Sequence, residues 1–156
     1  MGDLFEDFLG AVPPEMQPIV LEINDFLTQK GCKREIKEAK NGHVVSYKRQ
    51  DTGKSLLNYV FRKSGVKIRI YASHVSEYEA FLDTLSDELK KGIQKAGDCK
   101  KLNGQKCSPS CTGGYEFNMD GVVYKKCKNT AFMFDFNEKN TAFIDAFLKN
   151  EVGINE

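Results

Sequence analysis

The hydrophobic residues near the start of the chain repeat at the spacing of an α-helix. Ile19, Ile23 and Leu27 fall on one face, and Gly31 stands where a helix would end. Another short helical pattern precedes them. The predicted helices cover residues 3–10 and 14–30.

Beyond Gly31 the hydrophobic repeat changes to every second residue, which is typical of a half-buried β-strand. The clearest case is Val66, Ile68 and Ile70, which alternate with basic and aromatic residues. Short turns that contain glycine separate four such runs, so we expect a meander of antiparallel hairpins. The predicted strands cover residues 32–39, 43–50, 54–63 and 65–72.

The turns of this meander predict which residues face each other. Two-residue turns at Asn41-Gly42 and Ser64-Gly65 would place Lys40 opposite His43 and Arg62 opposite Lys67. One face of the sheet then forms the core and carries Ile36, Val45, Tyr47, Leu57, Tyr59, Phe61, Ile68 and Ile70. On the other face, one row across the sheet would hold Lys37, Ser46, Asn58 and Tyr71.

The second half of the chain predicts a different mixture of elements. Helical spacing returns at 75–97, where Ser76 and Ser86 are suitable N-caps. Asp120-Gly121 lies between two short alternating runs and is a strong hairpin signal, which would place Cys127 opposite Gly114. A strand over 131–136 and a helix over 138–150, with Asn137 as its cap, complete the chain.

The order of these elements predicts an α+β fold: an antiparallel meander sheet backed by helices, with a C-terminal Cys-rich loop and hairpin. The length of 156 residues, with 40% hydrophobic and 29% charged residues, suits one ordinary core and excludes a disordered or collagen-like chain. We therefore predict a single domain over 1–156. Its segments are a helical N-terminus (1–30), the meander (32–72), helices (75–97), the Cys-rich loop and hairpin (98–128), and a final strand and helix (131–150).

Two features of the sequence predict the cellular setting. No apolar run approaches the roughly 18 residues that cross a bilayer, and the acidic N-terminus lacks the basic and apolar blocks of a secretory signal. Five cysteines are too few and too unevenly spaced for a secreted disulfide framework. We expect a cytoplasmic protein with no membrane association.

Charge is distributed very unevenly along the chain, although the net charge is only +1. Residues 1–29 contain six acidic residues and no Lys or Arg, whereas residues 30–71 contain twelve Lys or Arg against three acidic residues. Acidic helices could simply neutralise a basic sheet. Alternatively, the sheet keeps a positive face for an anionic ligand or nucleic acid. The candidate binding residues on that face are Lys37, Lys48, Asn58, Arg62, Lys67, Arg69 and Tyr71.

Four of the five cysteines lie close together in the sequence, and they form its sharpest chemical signal. Cys99, Cys107, Cys111 and Cys127 are spaced so that Cys107 and Cys111 could face one ion across a tight turn. Four thiolates are a typical ligand set of a structural zinc site. The remaining cysteine, Cys32, stands at a strand start and is expected to be a small buried side chain.

The spacing of these cysteines leaves other chemistry open. It differs from the usual Cys-x2-Cys pairs of zinc ribbons, and an iron–sulfur cluster could use the same side chains. Nearby lysines would favour thiolates, which suits a redox enzyme or sensor as well as a metal site. Those lysines are Lys100, Lys101, Lys106, Lys125, Lys126 and Lys128.

Recognised catalytic motifs are missing from the sequence. It contains no phosphate-binding glycine motif, no His-Glu-x-x-His and no Gly-x-Ser-x-Gly. Of the two histidines, His74 could act as a base or replace a cysteine ligand, although a histidine before a helix more commonly serves in capping or packing.

Three stretches of the sequence carry a resemblance to other proteins: Cys107–Phe117 (CSPSCTGGYEF), Tyr124–Cys127 (YKKC) and Leu57–Lys63 (LNYVFRK). Together they resemble a group of small bacterial proteins carried under hypothetical-protein names, over most of the chain. The resemblance implies a bacterial cytoplasmic setting and transfers no catalytic residue. From the residues themselves we expect a metal-stabilised binding or regulatory module, with a thiol-dependent redox protein as the alternative.

Overall fold

The computed structural model describes residues 4–39, 42–50, 52–62, 65–99, 102, 104, 114–128 and 130–153. The chain divides into two compact units: Met1–Ile70 with Asp135–Asp145, and Tyr71–Phe134 with Ala146–Glu156.

The first unit begins with two helices and continues into the meander. The helices are α1 (Leu4–Ala11) and α2 (Gln17–Gln29), joined through a 3-10 turn at Pro14–Met16. The strands that follow are β1 (Cys32–Ala39), β2 (Gly42–Arg49), β3 (Ser55–Arg62) and β4 (Gly65–Ile70).

The second unit contains short helices and a separate hairpin. A 3-10 turn at Val75–Glu77 precedes α3 (Glu79–Asp83) and α4 (Asp87–Lys95). The hairpin consists of β5 (Gly114–Met119) and β6 (Val122–Cys127). The chain then forms β7 (Met133–Asp135), a 3-10 turn at Glu138–Asn140 and α5 (Thr141–Gly153). Residues 135–145 of this stretch belong to the first unit, and the residues from Ala146 onward belong to the second.

The strands form two antiparallel sheets, and the predicted α+β class with its meander is confirmed. The larger sheet has the order β1-β2-β3-β4-β7, and β5 and β6 form the smaller one. The predicted core face is confirmed for the central strands, because Val45, Tyr47 and Tyr59 have no solvent exposure. Leu57, Ile68 and Ile70 on the same face are also fully buried.

Two of the predicted hairpin registers are wrong by two residues, which leaves the assignment of the faces unchanged. His43 lies opposite Glu38, and Arg62 lies opposite Gly65. Gly42 is the first residue of β2 and lies opposite Ala39. A Cβ on Gly42 would lie 3.1 Å from Cγ of Phe61, so the absence of a side chain allows the ring to approach. The row across the sheet is therefore Glu35, Ser46, Asn58 and Arg69.

Aromatic rings fill the core of the first unit. The rings of Phe8 and Phe136 lie 5.2 Å and 5.1 Å from the ring of Tyr59, and Phe61 meets Phe8 edge to face. Edge-to-face and tilted contacts of this kind stabilise beyond simple burial. The helix α1 is thus fixed on the sheet through Phe8.

A polar contact within the same unit connects α2 to the sheet. Asn24 accepts hydrogen bonds from Arg34 and from the Tyr47 hydroxyl, each at 2.9 Å. The Arg34 guanidinium also lies 3.9 Å from the centre of the Phe5 ring, within the range of a cation–π contact. Arg34 lies on the core face, and its guanidinium is therefore paired with an amide oxygen and an aromatic ring.

The core of the second unit is also aromatic and centres on Phe132. Its ring lies 5.3 Å from the rings of Tyr115 and Phe117 and 5.2 Å from the ring of Phe147. Phe147 also contacts Phe81 at 5.7 Å. The hairpin, α3 and the second half of α5 are packed together through these rings.

The predicted caps and turn of the second half are confirmed with one exception. Ser86 accepts a hydrogen bond from the backbone of Leu89 and caps α4, and Asn137 caps the turn before α5. Asp120 has a φ of 53°, as a two-residue hairpin turn before Gly121 requires. Ser76 is not a cap, because it lies inside the 3-10 turn and α3 begins only after Tyr78.

Across the described ranges, no helix has the length and apolar character needed to traverse a bilayer.

We expect opposite effects when the two buried tyrosines of the sheet are replaced by phenylalanine. The Tyr59 hydroxyl is buried without a hydrogen-bond partner in the described part of the chain, and burial raises its pKa well above the ordinary value. Tyr59→Phe should therefore increase the free energy of unfolding by about 1 kcal/mol, whereas Tyr47→Phe should lower it by a similar amount through loss of the Asn24 contact.

Urea unfolding followed by circular dichroism measures both changes. A lower stability of Tyr59→Phe would contradict the assignment of an unsatisfied hydroxyl at this position.

Candidate metal centre

Cys99 lies in a short extended segment that follows α4 and runs beside β6. Its backbone N–H donates to the carbonyl of Lys125 at 2.8 Å, and the Cys127 N–H donates to the carbonyl of Gly97 at 2.8 Å. The segment 97–99 thus continues the hairpin sheet on the free side of β6, with Asp98 opposite Lys126. Cys99 itself is buried, with only 2% exposure.

The side chain of Lys126 holds this segment in place. Its ammonium donates to the carbonyls of Gln94 at 2.8 Å and Ala96 at 3.0 Å, and to the Asp98 carboxylate at 2.9 Å. The last carbonyls of a helix lack partners inside the helix, and a basic side chain commonly satisfies them. Lys126 therefore connects the end of α4 to β6. These contacts fix the position of the segment that contains Cys99.

Gly114 brings Cys99 next to the start of the hairpin. A Cβ on Gly114 would lie 2.5 Å from the Cβ of Cys99 and 2.7 Å from its Sγ, so only a glycine fits there. Gly114 is also the strand partner of Cys127, as predicted from the turn at Asp120-Gly121. Two of the four predicted ligands, Cys99 and Cys127, consequently adjoin the same glycine.

Cys107 and Cys111, the two other predicted ligands, lie outside the described residues. By sequence they belong to the segment 100–113, which leaves Cys99 and returns at Gly114. Within the ranges that the structure describes, no group of three or more His, Cys, Asp or Glu side chains is arranged to hold a metal ion. Cys32, in β1 of the other unit, is buried as expected.

The described lysines around the two cysteines have other contacts. Lys125 lies 3.7 Å from the Glu116 carboxylate, and the Lys128 ammonium lies 5.8 Å from the centre of the Tyr115 ring. Lys126 is engaged by the three oxygens of the α4 end, and strand alternation places it on the opposite face from Cys127. Lys100, Lys101 and Lys106 lie outside the described residues.

The predicted ligand-binding residues of the large sheet fall into distinct environments. Lys37 and Arg62 are exposed. Lys48 forms an ion pair with Glu35 at 3.0 Å, and its hydrogen bond and charge lower the pKa of Glu35. Lys67 is paired with Asp135, and Arg69 is half-buried.

The middle of this sheet face is not open to solvent. Asn58 and Val60 are each 9% exposed, and Leu56 is buried. Tyr71 follows the end of β4 and belongs to the second unit, so it does not join a row across the sheet. The residues that stay accessible for a ligand lie toward the rim of the face. Lys33 on β1 is one of them, although it was not among the predicted binding residues.

Sequence reasoning also missed the structural roles of Gly114 and Lys126. A signal for Lys126 exists, because alternation along the hairpin places it on the face of Tyr115, Phe117 and Tyr124. A lysine on an otherwise aromatic face needs oxygen partners. The contact between Gly114 and Cys99 has no comparable signal in the local sequence.

Comparison of the chain with protein-family models, curated proteins and solved structures found no match. The resemblance to small bacterial proteins, the cytoplasmic setting and the ligands of the sheet face therefore stay predictions.

Gly114→Ala tests the contact on which the candidate centre is built. The added methyl group would overlap Cys99 and the Lys126 carbonyl, each at 2.5 Å. We expect the free energy of unfolding to fall by about 1–3 kcal/mol, as is usual for overpacking of a well-packed site.

Gly92→Ala is the matched control. Gly92 lies inside α4, and nothing lies within 4 Å of a Cβ at that position. This substitution should raise stability slightly, because alanine is the better helix former. Equal stability of Gly114→Ala and the unmodified chain in urea titrations would refute the close approach of Cys99.

Proposed function

We propose that the chain is a non-enzymatic binding or regulatory module, stabilised by a Zn²⁺ ion on Cys99, Cys107, Cys111 and Cys127. The observation that carries this proposal is the packing of Cys99 against Gly114, the strand partner of Cys127. Two ligands that lie twenty-eight residues apart in the sequence thereby come to one end of the hairpin.

The donor chemistry of these residues fits zinc. Thiolates bind Zn²⁺ in closed tetrahedral sites that add directly to folding free energy. The segment 100–113 contains the other two cysteines, and its flanking residues Cys99 and Gly114 are in contact. A metal held by residues inside this segment and at its borders would offset the entropy of closing the loop.

Iron–sulfur ligation and redox chemistry are the alternatives, since both use the same thiols. An iron–sulfur cluster would add visible absorption and acid-labile sulfide. A redox protein would instead be isolated without metal and with a thiol that reacts rapidly with an alkylating agent. These three outcomes do not overlap.

Elemental analysis of protein purified without added metal is the decisive measurement. We expect about one zinc per chain, the stoichiometry of a closed four-thiolate site. Cys107→Ser and Cys111→Ser should each lower the zinc content and the melting temperature together. Metal-free protein with a rapidly alkylated cysteine would refute the proposal in favour of the redox alternative.

Cys32→Ser is the control for these variants. Cys32 is buried in β1 of the first unit, so its replacement costs packing but should leave the zinc content unchanged. Loss of zinc in this variant would show that metal content follows general stability and not ligation by the four cysteines.

The ligand of the module is proposed to be anionic and to contact the rim of the large sheet. Support comes from the exposure of Lys33 and Lys37 on β1 and of Arg62 on β3, all on the face opposite the core. Lys48 and Lys67 contribute less positive field, because Glu35 and Asp135 are beside them. Exposed cations at such positions give affinity for phosphate backbones that falls with salt.

A double substitution, Lys37→Glu with Arg62→Glu, should abolish salt-sensitive binding of a short single-stranded oligonucleotide at low ionic strength. Fluorescence anisotropy measures the binding. Lys54→Glu serves as the control, since Lys54 is exposed in the loop between β2 and β3 and is not on the sheet face. Failure of the unmodified chain to bind at low salt would refute the anionic ligand.

A further inference from the structure

The strand β1 lies at one edge of the large sheet, and every second residue directs its backbone groups away from β2. The N–H of Gln50 donates to the carbonyl of Gly31 at 3.4 Å, so a hydrogen-bonded pair stands directly before β1. Bonded and non-bonded pairs alternate along an antiparallel ladder. By the register of β1 and β2, the N–H and C=O groups that face the open edge are those of Arg34, Ile36 and Glu38.

These outward backbone groups are available to an incoming strand. In the described part of the chain no strand lies beyond β1, and no backbone hydrogen bond reaches the N–H groups of Arg34, Ile36 or Glu38. A peptide that adds a strand to such an edge gains affinity from main-chain hydrogen bonds and specificity from its alternate side chains. The side chains of β1 therefore define which peptide fits.

The face of β1 opposite the core favours acidic residues in the incoming strand. Lys33 and Lys37 are exposed on this face and lie four residues apart. Between them, Glu35 is already paired with Lys48 at 3.0 Å. Glu38 is also exposed, but it lies on the other face of the strand. Because opposite charges stabilise cross-strand pairs, acidic residues fit opposite both lysines, and an uncharged residue fits opposite Glu35.

The core face of β1 favours apolar residues in the incoming strand. Ile36 lies on this face and is only half-buried. The Arg34 guanidinium is already engaged by Asn24 and by the Phe5 ring, so it needs no acidic partner. An apolar side chain opposite Ile36 would remove its remaining surface from water. The edge thus fits a segment in which acidic and apolar residues alternate.

We propose that β1 binds an extended acidic segment of a partner protein as an additional antiparallel strand. The inference rests on the anionic ligand proposed above and names its class. Two acidic residues, four positions apart in the partner, lie opposite Lys33 and Lys37, where non-hydrogen-bonded pairing brings the side chains closest. The apolar residues between them exchange backbone hydrogen bonds with Arg34 and Ile36.

The probe is a synthetic peptide with blocked ends, Val-Glu-Val-Thr-Val-Glu-Val, titrated into the full chain and followed by NMR. We expect slower hydrogen exchange at the amides of Arg34, Ile36 and Glu38, because these amides gain a partner. N-methylation of the two central valines should weaken binding by roughly tenfold, since their N–H groups donate to β1. N-methylation of the two glutamates is the matched control, because their N–H groups face solvent.

A second comparison changes the charge of the edge. Lys33→Glu should weaken binding by roughly tenfold, because it replaces an attraction by a repulsion directly opposite a glutamate. Lys54→Glu is the matched control, since Lys54 is exposed in the loop between β2 and β3. A peptide with lysines in place of the two glutamates should not bind.

Equal binding of the two N-methylated peptides would overturn strand addition, and equal binding of the lysine peptide would overturn the preference for acidic residues. Protection of the same amides that grows with the concentration of the chain alone would assign the edge to a second copy instead. If the chain binds the oligonucleotide but not the acidic peptide, strand addition fails and the anionic ligand stands. If the chain binds neither, both proposals fail.

Discussion

The second unit depends on the burial of one ammonium group. Lys126 is 5% exposed, and an unpaired charge at such a position would cost several kcal/mol. Three oxygens from the end of α4 and from Asp98 remove that cost. The same contacts fix where the chain leaves the helix, so that the segment 97–99 pairs with β6. The approach of Cys99 to Gly114, and with it the proposed zinc site, follows from this arrangement.

The meander could be predicted in detail because its pattern is local. Val66, Ile68 and Ile70 define the core face by simple alternation, and the structure buries all three. The residues that close the hairpins were harder to predict, because Gly42 and Gly65 read as turn residues but lie on strands. A Cβ on Gly42 would lie 3.1 Å from Cγ of the Phe61 ring, and this contact with another strand has no signal in the local turn sequence. The prediction of which residues face the core was still correct, because the error in strand register was an even number of residues.

The candidate site was less accessible to sequence reasoning. The turn at Asp120-Gly121 correctly placed Cys127 opposite Gly114. Nothing in the aperiodic stretch after α4 indicated that Cys99 packs on that glycine, since the contact depends on a lysine in another strand. On the sheet, the pattern gave the basic face, but Asp135 is far away in the sequence and its pairing with Lys67 could not be anticipated. Glu151 and His74 are separated still further, and they form a hydrogen bond only because α5 packs beside the 3-10 turn at Val75–Glu77.

β1 is an edge strand of the large sheet. This position affects whether copies of the chain associate at high concentration. An uncovered edge strand offers its unpaired N–H and C=O groups to a strand of another molecule and can start aggregation. Among the β1 side chains whose burial the structure describes, the exposed ones are Lys33, Lys37 and Glu38, three charges in six positions. Pairing of a second copy of this strand along the edge would bring the lysines of the two copies together and remove water from them. The lysines that we assign to an anionic ligand would thus also keep the protein monodisperse.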